Sequence, residues 1–140
     1  MTPLQVAAVQ RTFSLVVPIK EKAAELFYAR LFELDPSLKP MFKGDMKQQG
    51  MKLMSALALV VTGLSKPETI LPAVEDLGRK HFDYGVQDHH YDTVGAALLW
   101  TLEQGLGAEF TPDVKAAWTA AYTLLANVMK DAATKARAVA

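Results

Sequence analysis

The chain contains no cysteine among its 140 residues. That excludes a disulfide scaffold, a thiolate-ligated metal centre and a cysteine nucleophile. It also has no charge excess: 15 basic residues balance 15 acidic ones. No strong field therefore points toward nucleic acid or an anionic membrane. No apolar run approaches bilayer-spanning length, and Met1-Thr2-Pro3-Leu4-Gln5-Val6 lacks the basic and apolar regions of a secretory leader. The expectation is a cytoplasmic protein with neither membrane nor nucleic acid as partner. Repeats, low-complexity linkers and alternating strand patterns are missing as well, which leaves one domain over 1–140 and an all-α fold.

What is present is apolar spacing of helical period, cut into pieces by proline and glycine. Thr2-Pro3 opens a first helix with a buried stripe of Val6, Val9, Phe13, Val16 and Val17, interrupted by Pro18. A second piece carries Ile19, Ala23, Leu26, Phe27, Tyr28 and Phe32. Asp35-Pro36 starts a short turn running to Phe42, and Lys43-Gly44-Asp45 reads as a loop. From Met46 to Leu64 one face carries Gln49, Leu53, Leu57, Val60 and Leu64, so a single amide interrupts an apolar stripe. Ser65-Lys66-Pro67-Glu68 reads as a capping box, and Pro72 forces a restart leading to His81. Asp88 is a candidate cap for a helix with Tyr91, Val94, Leu98, Leu102 and Leu106 inward. Thr111-Pro112-Asp113 starts the last helix, with Trp118 on its stripe, and residues 131–140 lose the stripe and are expected to fray. The pattern predicts about seven or eight helices around one core.

The segment Leu77-Gly78-Arg79-Lys80-His81-Phe82-Asp83-Tyr84-Gly85-Val86 carries the first chemical signal. His81 falls one turn after Leu77 and two after Val74, so its imidazole points where the apolar stripe points. Lys80 faces elsewhere. An inward imidazole with a cation at the rim suits an axial ligand of haem iron, and equally a core histidine satisfied by a backbone carbonyl. Tyr28, Phe42 and Gln49 lie upstream, and successive separations from Tyr28 through Phe42 and Gln49 to His81 are 14, 7 and 32 residues. By themselves Tyr28 reads as a core tyrosine, Gln49 as a surface amide and Phe42 as a core aromatic.

Taken in order, Leu26-Phe27-Tyr28-Ala29-Arg30-Leu31-Phe32, Asp35-Pro36 through Met41-Phe42, Gly78-Arg79-Lys80-His81 and His90-Tyr91-Asp92-Thr93-Val94-Gly95 make a set. This set resembles the bacterial single-domain globins and the globin module of flavohaemoglobins, from about Leu4 to Val128. The resemblance implies a globin fold around haem b. It implies His81 as the proximal iron ligand, Phe42 stacked on the haem, and Tyr28 and Gln49 on the distal side where gas binds. Leu53 and Leu57 would keep water off the gas site. Lys80 would reach a propionate, and Val86, His90, Tyr91, Val94 and Trp118 would line the cofactor, Trp118 equally well as simple core. His89 and His90 are adjacent and diverge by about 100° on a helix, so they cannot share an inner metal. A phenol O–H and an amide N–H aimed at a gas that gains partial negative charge stabilise it, which implies tight oxygen binding and slow release. Nitric oxide and carbon monoxide are further ligands.

One departure matters. Flavohaemoglobins hold the proximal imidazole through a tyrosine and a glutamate. Tyr91 matches the tyrosine, whereas the glutamate's place falls near Lys135, and residues 132–140 contain no carboxylate. Peroxidase-like activation is not implied. The chain holds no flavin or nicotinamide module, which implies a separate reductase. Beside reversible oxygen binding, three readings stay open: a nitric oxide dioxygenase served by that reductase, a gas or redox sensor, and a haem-free helical interaction protein.

Overall fold

The protein, described by a computed structural model for residues 1–139 except the side chains at 137 and 139, contains no strand among those residues. Its α-helices are α1 (Pro3–Val16), α2 (Lys20–Leu34), α3 (Met46–Gly63), α4 (Leu71–Asp83), α5 (Asp88–Leu106) and α6 (Pro112–Val139). Four 3-10 turns join them, at Val17–Ile19, Pro36–Met41, Pro67–Thr69 and Gly107–Glu109. The α-helices number six among the described residues rather than seven or eight. Two of the pieces expected from the pattern are short proline-led turns, where the missing N–H and fixed φ suit a tight entry and not a long helix.

The ends of the helices follow local chemistry. Thr2 and Gln5 form a reciprocal capping box on α1. Asp35 caps the turn that presents Phe42, and Asp45 caps α3 through the Lys47 amide at 2.9 Å. The other expected caps need correction. Ser65 does not cap: its hydroxyl accepts from Gln10 Nε2 at 3.0 Å, tying α3 to α1. Asp88 is the first helical residue of α5. The cap there is Gln87, whose N–H donates to His90 Nδ1 at 2.9 Å. Val17 is 44% exposed, because the break at Pro18 turns it off the stripe, and Thr12 is buried in its stead. The frayed tail expected at 131–140 is helix through Val139, with Ala132 and Ala133 buried; position 140 lies outside the described residues. Small apolar residues continued the buried face where a search for large ones saw none.

Consecutive helices do not simply stack. The principal partner of α4 is α6, whereas α3 packs on α2 and α1. The contact of α4 with α6 is close enough that a Cβ on Gly78 would come within 2.5 Å of the Met129 carbonyl oxygen. α3 and α4 thus have different principal partners. The apolar side chains of Phe42, Leu53, Leu57, Leu77, Val86 and Val94 are only partly covered although they pack on the core. No helix of the described residues is long and apolar enough to cross a membrane.

Candidate functional site

His81 stands in the last turn of α4 with its ring mostly removed from solvent. Its Nδ1 lies 2.7 Å from the Leu77 carbonyl oxygen. A carbonyl accepts only, so Nδ1 carries the hydrogen and Nε2 keeps its lone pair. Burial pushes the imidazole pKa below its ordinary value, outweighing the opposite pull of the Leu77 carbonyl, so the neutral, ligating form is favoured. The helix ends just beyond: the Val86 N–H donates to the His81 carbonyl at 3.0 Å, and Gly85 takes φ of 87°, a left-handed conformation that glycine adopts without strain.

The residues expected on the gas-binding side come from α2, the turn after it, and α3. Tyr28 is buried on α2 in a cluster of aromatic rings. Its centroid lies 5.3 Å from that of Phe42, at 67°, and Phe32 contacts Phe42 at 5.4 Å. These edge-to-face contacts fix the Phe42 ring. Gln49, half-buried in the first turn of α3, lies close enough to the Tyr28 phenol for its amide to favour the ionised form. Burial raises the Tyr28 pKa more than this amide lowers it, so the phenol stays protonated and available as a donor. Gly50 makes the approach possible, since a Cβ there would stand 2.9 Å from that of Ala24 on α2. Leu53 and Leu57 follow Gln49 by one and two turns and are half-buried.

The remaining predicted residues divide. Tyr91 is buried, with its ring centroid 6.5 Å from that of His81, and Val94 is half-buried one turn farther along α5. The Nζ of Lys80 lies 3.1 Å from Asp76, its neighbour one turn back, with both side chains exposed. His90 is 6% exposed, with Nδ1 committed to the cap of α5. Burial lowers its pKa, the neighbouring His89 adds to this, and Asp35 opposes it. Trp118 is a correction: at 2% exposure it belongs to the core, donating from Nε1 to Thr12 Oγ1 at 2.9 Å and resting on Phe13. Lys135 is exposed and pairs with Asp131 at 3.7 Å, so the position counted for a proximal carboxylate points away from His81.

Two residues near the proximal side were not foreseen. The Lys130 ammonium sits 5.6 Å from the centroid of the Tyr91 ring, and the Tyr122 hydroxyl donates to the Tyr91 carbonyl at 2.6 Å. Both lie on α6, and the only available signal was their place on a helix already expected to pack inward. A cavity of about 710 Å³ lies among α1, α2 and α3, away from His81. It reaches Tyr28 along Gly50 and Met54, roughly 100° around α3 from the face that carries Gln49 and Leu53.

The residues present therefore fit a haem. The half-buried His81 imidazole keeps one ring nitrogen uncommitted, partly covered apolar side chains lie on the same core, and the Tyr28 phenol packs on the Phe42 ring. Comparison with known proteins agrees. The chain is 30% identical over 133 residues to a flavohemoprotein of Xylella fastidiosa, and 34% identical over 122 residues to one of Vibrio cholerae. These alignments cover 93% and 82% of this chain but only 33% and 31% of those proteins, so the chain spans about a third of the length of these relatives. Among solved structures, a bacterial globin of Campylobacter jejuni superposes with a TM-score of 0.85 at 24% identity, covering 97% of this chain and 99% of that one. An engineered carbene transferase from Rhodothermus marinus gives 0.90 at 24% identity, covering 99% and 97%. The globin family profile matches residues 25–129, and the chain belongs to the globin family.

Proposed function

We propose that this globin holds haem b through Nε2 of His81 and binds oxygen reversibly, with Tyr28 and Gln49 as the groups that retain the gas. The observation that carries the reading is the commitment of His81 Nδ1 to the Leu77 carbonyl, which leaves Nε2 unprotonated and free to ligate on a half-buried ring. Haem, when bound, supplies the iron to which a diatomic gas attaches. The protein's own work is to orient the imidazole, to exclude water with Leu53 and Leu57, and to keep the Tyr28 phenol protonated against the Gln49 amide. Phe42, braced by Tyr28 and Phe32, supplies a flat apolar surface for the macrocycle. Carbon monoxide and nitric oxide are ligands of the same place. An absorption spectrum taken ferric, ferrous and oxygenated tests this directly: an intense near-ultraviolet band absent from His81→Ala, and an oxygenated form lasting minutes, are expected. Full pigment retention and ligation in His81→Ala would overturn it.

The second reading is nitric oxide dioxygenation with a separate reductase. It is favoured by the same donor pair, since a long-held oxygen has time to meet nitric oxide. Sustained nitrate formation with a cellular reductant would support turnover, and a single stoichiometric burst would leave gas binding as the function.

A further inference from the structure

Tyr91 is contacted from two directions in the chain. Its ring centroid is 6.5 Å from that of His81 at an interplanar angle of 33°, and Lys130 Nζ stands 5.6 Å from the same ring. The ammonium is thus no farther from the imidazole than those two distances laid end to end, about 12 Å. Lys130 makes no ion pair among the described residues, because the neighbouring Asp131 is taken by Lys135. The arrangement is not loose. Tyr122 donates to the Tyr91 carbonyl at 2.6 Å, and the Tyr122 ring fills the space that a Cβ on Gly95 would occupy, 2.8 Å from Cε2. The backbone of Tyr91 is therefore fixed from α6, about two helix turns before the residue that supplies the cation.

We propose that Lys130 is a positioning residue for the proximal side. Its ammonium, held over the Tyr91 ring, makes the surroundings of His81 more positive and so favours the ferrous over the ferric state of iron bound there. The inference rests on the haem reading above. The ferric centre carries one more positive charge than the ferrous, so a fixed cation nearby penalises oxidation. At about 12 Å and an effective dielectric of about 20, one unit charge changes that equilibrium by about tenfold, and screening at the partly exposed Lys130 makes this an upper figure. The cation also contrasts with a carboxylate at this place, which would push electron density toward the imidazole and favour the ferric state. The competing view is that the butyl chain of Lys130 merely covers the Tyr91 ring, a packing role that needs no charge.

Spectroelectrochemical titration of the haem-loaded full chain separates the two. Wild type is compared with Lys130→Met and Lys130→Gln, which remove the charge, and with Lys130→Arg, which keeps it. At a fixed potential both neutral variants should show a ferrous-to-ferric ratio three- to tenfold lower than wild type, with about 59 mV corresponding to the full tenfold for a one-electron couple. Lys130→Arg should stay close to wild type. An unchanged midpoint in pigmented neutral variants overturns the inference and leaves the haem reading intact, as does an equal shift in the arginine variant. Two neutral side chains of different shape guard against one that misfolds. Failure of the wild type to take up haem overturns both readings together.

Discussion

Replacing Gly78 by alanine should destabilise the protein although it introduces a better helix former. Alanine within a helix gains about 1 kcal/mol over glycine. Here, however, the new Cβ would stand 2.5 Å from the Met129 carbonyl oxygen and 2.7 Å from its Cα, where ordinary contact begins near 3.4 Å. Those are backbone atoms of α6, not the end of a side chain that can swing aside, so α4 and α6 must part by about 1 Å. Overpacking of this kind costs about 1–3 kcal/mol, and more where backbone must move. The clash therefore wins by about 1–2 kcal/mol, equivalent to about 3–8 °C in Tm for a domain of this size. His81 lies three residues farther on the same helix, so the displaced α4 should also weaken haem retention. Gly105→Ala is the control. Its Cβ meets only Ile19 Cδ1 at 3.3 Å, a flexible tip, and a Tm equal to or slightly above wild type is expected. Calorimetric or circular-dichroism melts of the two variants decide the matter. If Gly78→Ala melts at or above wild type, the close crossing of α4 and α6 does not exist as described.

Removing the Tyr28 hydroxyl by phenylalanine deletes a hydrogen bond of about 1–2 kcal/mol to the gas, so oxygen dissociation measured by stopped flow should quicken about tenfold. An unaltered rate would remove Tyr28 from the gas site. In the haem-free protein, His81 and His90 both have pKa values lowered by burial. The unfolded chain then binds protons more readily than the native one, so Tm should fall as pH drops below about 6.5 and continue falling until the native imidazoles themselves titrate. A flat Tm between pH 7 and 5 would contradict this. Gly95→Ala should push the Tyr122 ring off its seat, break the 2.6 Å bond to the Tyr91 carbonyl and lower Tm by several degrees; a neutral result would show that the ring relocates freely.

Most of the fold was legible because the signals were local. Proline at residues 3, 72 and 112 and the caps at Thr2 and Asp35 marked helix starts that depend only on neighbouring residues, whereas Asp45, read as loop, caps α3. The errors have a different origin. Asp88 looked like a cap because aspartate is chosen at caps, yet His90 supplies the acceptor there, a choice that depends on a ring buried against the end of α2. Thr12 was passed over as polar, although its hydroxyl is satisfied inside the core by the Ala8 carbonyl and accepts from Trp118. For Trp118, core and cofactor wall both stayed open in the sequence, because periodicity shows that a side chain points inward, not which neighbour it meets.

The two sides of the candidate site differ in how they are built. Tyr28, Phe42 and Gln49 come from elements close in sequence, with the Tyr28 and Phe42 rings in contact, and the family resemblance rather than their spacing singled them out. On the proximal side only the His81–Leu77 bond is local. The place of α4 depends on Gly78 meeting Met129, and the setting of Tyr91 depends on Tyr122 and Lys130, all three on α6. Contacts of such sequence separation leave no motif, which is why a missing glutamate could be noticed while the lysine near Tyr91 could not. Substitutions on α6 should accordingly alter the iron's redox behaviour with little effect on gas retention, and substitutions at Tyr28 or Gln49 should do the reverse. Oxygen dissociation rates and midpoint potentials measured on the same set of variants separate the two; a strong correlation between them across both groups would mean that the halves of the site are not independent.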